Sequence, residues 1–172
     1  MSDPRLRQAL LVALAVVAVD QLTKAIVERS MALYESIPIL PGFSLTYVRN
    51  TGAAFGMLAG APPTFRLPLF LLVTAVAIWA LVSYLRSTPS HRRALVWALG
   101  GILGGAVGNF ICRMRYGEVV DFFHLHYAGW SWPMFNVADS AISVGVAVVL
   151  LESLRGGGAP ATEEALRRRA DG

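Results

Sequence analysis

Residues 94–112 read A-L-V-W-A-L-G-G-I-L-G-G-A-V-G-N-F-I-C, a run with no charged side chain, closed by Arg113. At about 1.5 Å per residue, a helix of this length covers the roughly 30 Å of hydrocarbon in a bilayer. Gly100, Gly104 and Gly108 recur every four residues and leave one side of that helix nearly bare, which predicts close packing against a neighbour. Working outward, three more stretches have the same character, approximately Gln8 to Val27, Leu67 to Leu85 and Met134 to Leu154. The composition agrees: 55% of the 172 residues are hydrophobic and 15% charged, too apolar for a soluble domain of this size. The expected fold class is an all-α membrane protein, a four-helix transmembrane bundle.

The chain between the first two spans is different. S-I-P-I-L-P-G-F-S-L-T-Y-V-R-N-T-G, from Ser36 to Gly52, mixes β-formers with turn residues and reads as short strands lying outside the lipid core. It predicts a small β-structured extracytoplasmic platform. Arg5 and Arg7 precede the first span, Arg86, Arg92 and Arg93 separate the second from the third, and Arg155 with Arg167, Arg168 and Arg169 follow the fourth. By the positive-inside rule both termini are cytoplasmic. The other side carries Arg29, Arg49, Arg66, Arg113 and Arg115, so the bias is not absolute. The first apolar run continues through Asp20 and Lys24 without a small-residue cleavage site, which favours a span over a removable leader. The residues from Gly156 to Gly172 read as a flexible cytoplasmic tail, leaving 1–155 as one integral membrane domain. The net charge of +4 suits anionic lipid; no basic-aromatic surface for nucleic acid is present. A single cysteine, Cys112, excludes an internal disulfide and a cysteine metal cluster.

With this topology the polar residues of the spans gather at one rim, the outer one. Asp20 and Lys24 are four apart and share a helix face, as do Asn109 and Arg113. Asn50 lies in the outer loop, in an Asn-Thr-Gly that by itself is a turn signal. Asp121 stands in a strand-like V-V-D-F-F, and Asp139 one turn inside the fourth span, where Asn136 can cap the helix start. A lone Asp in a first helical turn is usually a dipole-favoured residue. Two carboxylates at one membrane depth carry more meaning, because a charge there is costly and usually kept for function. Two close carboxyl groups share a proton: one takes a proton from water while the other donates one to a carbonyl or a leaving amine. Peptide hydrolysis is the reaction class this suits.

The blocks D-Q-L-T-K around Asp20 and Lys24, N-T-G-A-A-F-G from Asn50, G-N-F-I-C-R and G-E-V-V-D-F between Gly108 and Phe122, and F-N-V-A-D-S from Phe135 resemble, in order and spacing, the bacterial lipoprotein signal peptidases. These, also called signal peptidase II, are intramembrane aspartyl proteases. The resemblance implies that Asp121 and Asp139 are the catalytic dyad. It further implies that Asn50, Gly52, Asn109, Arg113 and Asn136 belong to the substrate site, with Asp20 and Lys24 in support. The implied substrate is a prolipoprotein cleaved just before a cysteine that bears a diacylglyceryl group, in the inner membrane. Neither cofactor nor metal is implied, globomycin is the implied inhibitor, and a platform and lid span about residues 30–63. A site built within one bundle leads to the expectation of a monomer.

One block departs from the family pattern, which has Asp where this chain has Cys112, beside Arg113. Three rival readings remain at the level of sequence. Cys112 with His124 or His126 would make a thiol protease, although a lone cysteine in a glycine-rich span is more often a small buried residue. His124 and His126, alternate residues of a strand, would share a face and, with an aspartate, ligate a metal. A small proton- or cation-coupled transporter would use the same carboxylates as a relay, but would place them near the bilayer midplane.

Overall fold

The computed structural model describes residues 3–52 and 60–156. Residues 53–59 of the expected platform and lid, and residues 157–172 of the expected tail, lie outside them. Four helices and four strands follow the order α1 (Pro4–Ser30), β1 (Ser36–Leu40), β2 (Phe43–Asn50), α2 (Pro63–Ser87), α3 (Arg93–Tyr116), β3 (Val119–Tyr127), β4 (Trp130–Ser131) and α4 (Val137–Gly156). Each helix is long and apolar enough to cross a membrane. Large apolar side chains such as Leu14, Leu72, Trp79, Val144 and Leu154 stand exposed along them, as lipid-facing helices require.

The central helix is α3, packed chiefly against α1 and α4 and less against α2. The glycine stripe explains this. A Cβ on Gly100 would stand 2.6 Å from the Ala9 carbonyl oxygen, and one on Gly104 would stand 2.7 Å from that of Ala13, so the α1 and α3 backbones nearly touch. Gly145 does the same for α4 against α3, where the Ala98 carbonyl oxygen lies 2.8 Å from the Cβ position. Away from the sheet, Ala9, Leu85, Leu95, Val96 and Leu99 are buried together in an apolar cluster.

The sheet caps the other end. Its order is β1-β2-β3-β4, all antiparallel. Pro41-Gly42 makes the first turn, Gly42 taking φ +82°, and Gly117 at φ +73° stops α3 so that β3 can start two residues later. Val27 and Met31 at the end of α1 pack with Tyr47, Val120 and Phe122, seating the sheet on the bundle. Register sets Val48 opposite Asp121 and Asn50 opposite Val119. The fourth helix begins at Val137 rather than Met134: Phe135 is held by backbone hydrogen bonds to Phe123, and Asn136 caps the helix.

Candidate active site

Where the sheet meets the bundle, a cavity of about 820 Å³ is lined by Asn50, Asn109, Arg113, Asp121 and Asp139, and runs on past Trp132 and Met134 to Ser143 and Val144 of α4. Asp121 enters from β3. Its Oδ2 accepts from Asn50 Nδ2 at 2.9 Å and its Oδ1 from Asn136 Nδ2 at 2.6 Å. Asp139 enters from the first turn of α4. Its Oδ1 accepts from Asn109 Nδ2 at 2.7 Å and its Oδ2 from the Asn136 backbone N–H at 3.3 Å, while Asn136 Oδ1 accepts from the Asp139 N–H at 2.9 Å. This reciprocal Asn-x-x-Asp pair has the form of a capping box, so the helix start fixes the carboxylate. Asn136, with no exposed surface, touches both aspartates.

Each asparagine is oriented from behind. Asn50 Oδ1 accepts from the Gly52 N–H at 2.9 Å, which turns its amide nitrogen toward Asp121. Asn109 Oδ1 accepts from Lys24 Nζ at 2.9 Å and Asn136 Nδ2 at 3.2 Å, which leaves its own nitrogen for Asp139. Lys24 in turn pairs with Asp20 at 2.8 Å, both side chains fully or nearly buried. The second oxygen of Asp20 accepts from the Ala138 N–H at 3.0 Å, so a carboxylate of α1 caps α4. A Cβ on Gly108 would stand 2.6 Å from Asp20 Oδ2, and the absence of one leaves room for that carboxylate.

Burial pushes the Asp121 carboxyl up to about 7, the neighbouring charge of Asp139 adding to the rise, against the pull of Asn50, Asn136 and Lys24 toward the ionised form. Lys24 and Arg113 face three carboxylates here, so one proton shared by Asp121 and Asp139 brings the buried group to formal neutrality, the state a low-dielectric site favours. A carboxyl and a carboxylate facing one cavity are equipped for paired proton donation and acceptance.

The structure thus brings Asn50, Asn109, Arg113, Asp121, Asn136 and Asp139 together, with Asp20, Lys24 and Gly52 immediately behind them. Arg113 donates from Nη2 to the Gly52 carbonyl oxygen at 3.3 Å and lies 5.0 Å from the Phe70 ring centre. Cys112 is buried facing α1, where the Gln21 amide donates to its sulfur at 3.7 Å; it does not line the cavity. His124 bonds the hydroxyls of Thr46 and Ser131, and His126 that of Ser44. Neither histidine lines the cavity. The acids lie at one end of the bundle, as a rim site requires and a midplane relay does not.

Sequence reasoning missed Gln21, whose amide also donates to Asp20 Oδ2 at 3.0 Å and the Gly108 carbonyl oxygen at 3.1 Å. Its signal was its place among four polar residues, Asp20, Gln21, Thr23 and Lys24, in the midst of a mainly apolar helix. It also missed the tie from Arg49 to Glu28, 2.7 Å long, across two elements that share no local pattern.

The family model described as signal peptidase (SPase) II matches residues 12–155. The lipoprotein signal peptidase of Syntrophotalea carbinolica is 47% identical over 158 residues, 91% of this chain and 97% of that protein. That of Bacillus subtilis is 42% identical over 155 residues, 90% of this chain and 97% of its own. Among solved structures, a bacterial membrane enzyme determined by the in meso method at 2.3 Å superposes with a TM-score of 0.79 at 33% identity, covering 87% of this chain and 89% of that one.

Proposed function

The chain belongs to the signal peptidase II family and is a membrane protease, and from that premise we propose that Asp121 and Asp139 are its catalytic pair. It removes signal peptides from prolipoproteins. The observation that supports the dyad most directly is Asn136, which holds both carboxylates in one cavity.

The substrate is a diacylglyceryl-modified prolipoprotein whose acyl chains stay in lipid while the signal helix enters the bundle sideways. Anchoring in the bilayer restricts the substrate before chemistry and meets part of the orientation cost. With the scissile carbonyl between the two carboxyls, the ionised one takes a proton from water as the water oxygen attacks the carbonyl carbon. The protonated one donates to the carbonyl oxygen. Collapse of the tetrahedral intermediate breaks the C–N bond, and a proton passes to the amine of the lipidated cysteine. Asn50, Asn109 and Asn136 hold the carboxyls and Arg113 the rim of the cavity, with Gly52, Asp20 and Lys24 behind them. Residues 1–155 form one peptidase domain in the bacterial inner membrane, with both termini cytoplasmic and the site at the outer face. Residues from about 30 to 63 act as platform and lid, the tail from 156 is dispensable, the enzyme works as a monomer, and globomycin occupies the cavity.

Replacing either aspartate by asparagine removes an ionisable group at nearly constant shape. Asp121→Asn and Asp139→Asn are expected to lower processing of a diacylated prolipoprotein by at least about 10³-fold in detergent-solubilised, folded enzyme. Full processing by either variant would refute the assignment.

A further inference from the structure

Arg49 immediately precedes Asn50 at the end of β2, and its side chain gathers three elements at the sheet end of the bundle. Its Nη2 lies 2.7 Å from Glu28 Oε1 on α1 and its Nε donates to the Tyr47 hydroxyl at 2.8 Å. Its guanidinium carbon stands 4.7 Å from the ring centre of Tyr116, the last residue of α3. Asn50 is the last residue of β2, and its own amide reaches Asp121 Oδ2. Asn50 is the last residue of the β2–β3 ladder, opposite Val119, and Arg49 stands next to it opposite Val120, so the Arg49 side chain braces the end of the strand from which Asn50 projects.

We propose that Arg49 is a positioning residue for the hydrolysis: clamped between Glu28 and Tyr116, it fixes the end of β2 so that Asn50 meets Asp121. This rests on the dyad reading above. A partly exposed ion pair alone would contribute little, but a guanidinium that bonds a carboxylate and a hydroxyl while lying against an aromatic ring is a rigid joint that lysine does not reproduce. Asn50 favours the ionised form of Asp121. Loosening it therefore leaves Asp121 holding its proton to higher pH, in a setting where Asp139 of α4, Lys24 of α1 and Arg113 of α3 also act on it.

The test compares full-length Arg49→Lys, Glu28→Gln and the double variant with the parent enzyme, using a diacylated prolipoprotein across a pH series. The expected result is a kcat about tenfold lower in each single variant with KM nearly unchanged. The limb of the profile on which Asp121 gives up its proton moves to higher pH, and the double variant is no worse than either single. A rise in KM with the profile in place would make Arg49 a substrate contact and overturn the proposal. Unchanged kcat and profile in folded Glu28→Gln would overturn it as well. Asp121→Asn in the same assay separates the two ideas: if that variant is active, the dyad reading fails, whatever Arg49 does.

Discussion

The glycine stripe of α3 looks uniform, yet its two parts do different work. Gly100 and Gly104 face the backbone of α1 and let two helices approach. Gly108, one turn on, faces the Asp20 carboxylate and leaves space for a charge beside the helix. The same missing side chain serves packing at one end of the bundle and electrostatics at the other. Close apolar contact holds the first region; the second is held by hydrogen bonds among Asp20, Lys24, Asn109, Asn136 and Ala138.

Alanine at Gly108 attacks this contrast most directly. Gly108→Ala displaces Asp20, and with it the cap on α4 and the Lys24 pair, so processing is expected to fall by about 10²-fold. Gly104→Ala, which meets the Ala13 backbone instead, lowers the melting temperature in detergent while activity per folded molecule stays near the parent value. Equal loss of activity in the two variants would erase the distinction. Lys24→Met leaves the Asp20 carboxylate buried without its ion pair, at a cost of about 3–5 kcal/mol, visible as a large drop in melting temperature. A mild effect would mean that the polar end is no more demanding than the apolar one.

Charge in the cavity sharpens the comparison further. Asp121, raised to about 7 by burial and then by Asp139, holds its proton below that pH and releases it above. The activity profile should therefore have one limb near neutral pH. In Asp139→Asn the neighbouring charge is gone, and the Asp121 titration, followed by its carboxyl infrared band, should move to lower pH. The smallest effect belongs to Cys112→Ser, a buried, near-isosteric change outside the cavity, which should keep processing within about threefold of the parent by the usual cost of such a substitution.

Much of this architecture was legible in the chain. Four apolar runs, the β-rich insert after the first of them, and the shared helix faces of Asp20 with Lys24 and Asn109 with Arg113 follow from periodicity and length. The aspartates were visible because charge at membrane depth is conspicuous. What remained hidden was long-range: nothing local to D-Q-L-T-K signals that Asp20 caps a helix 118 residues later, or that Gly108 faces a carboxylate while Gly104 faces a carbonyl. Position 112, where the family pattern has an aspartate, shows what the sequence did not: which side of α3 its residue faces. Cys112 faces Gln21, and Arg113 is held by Gly52 and Phe70.

The bond from the Ala138 amide to Asp20 ties the first helix to the last. During synthesis α1 reaches the membrane long before α4 is made, carrying an Asp20–Lys24 pair that neutralises its own charge. The proposed dyad is complete only when α4 arrives, because the helix that brings Asp139 also supplies the amide that bonds the second oxygen of Asp20.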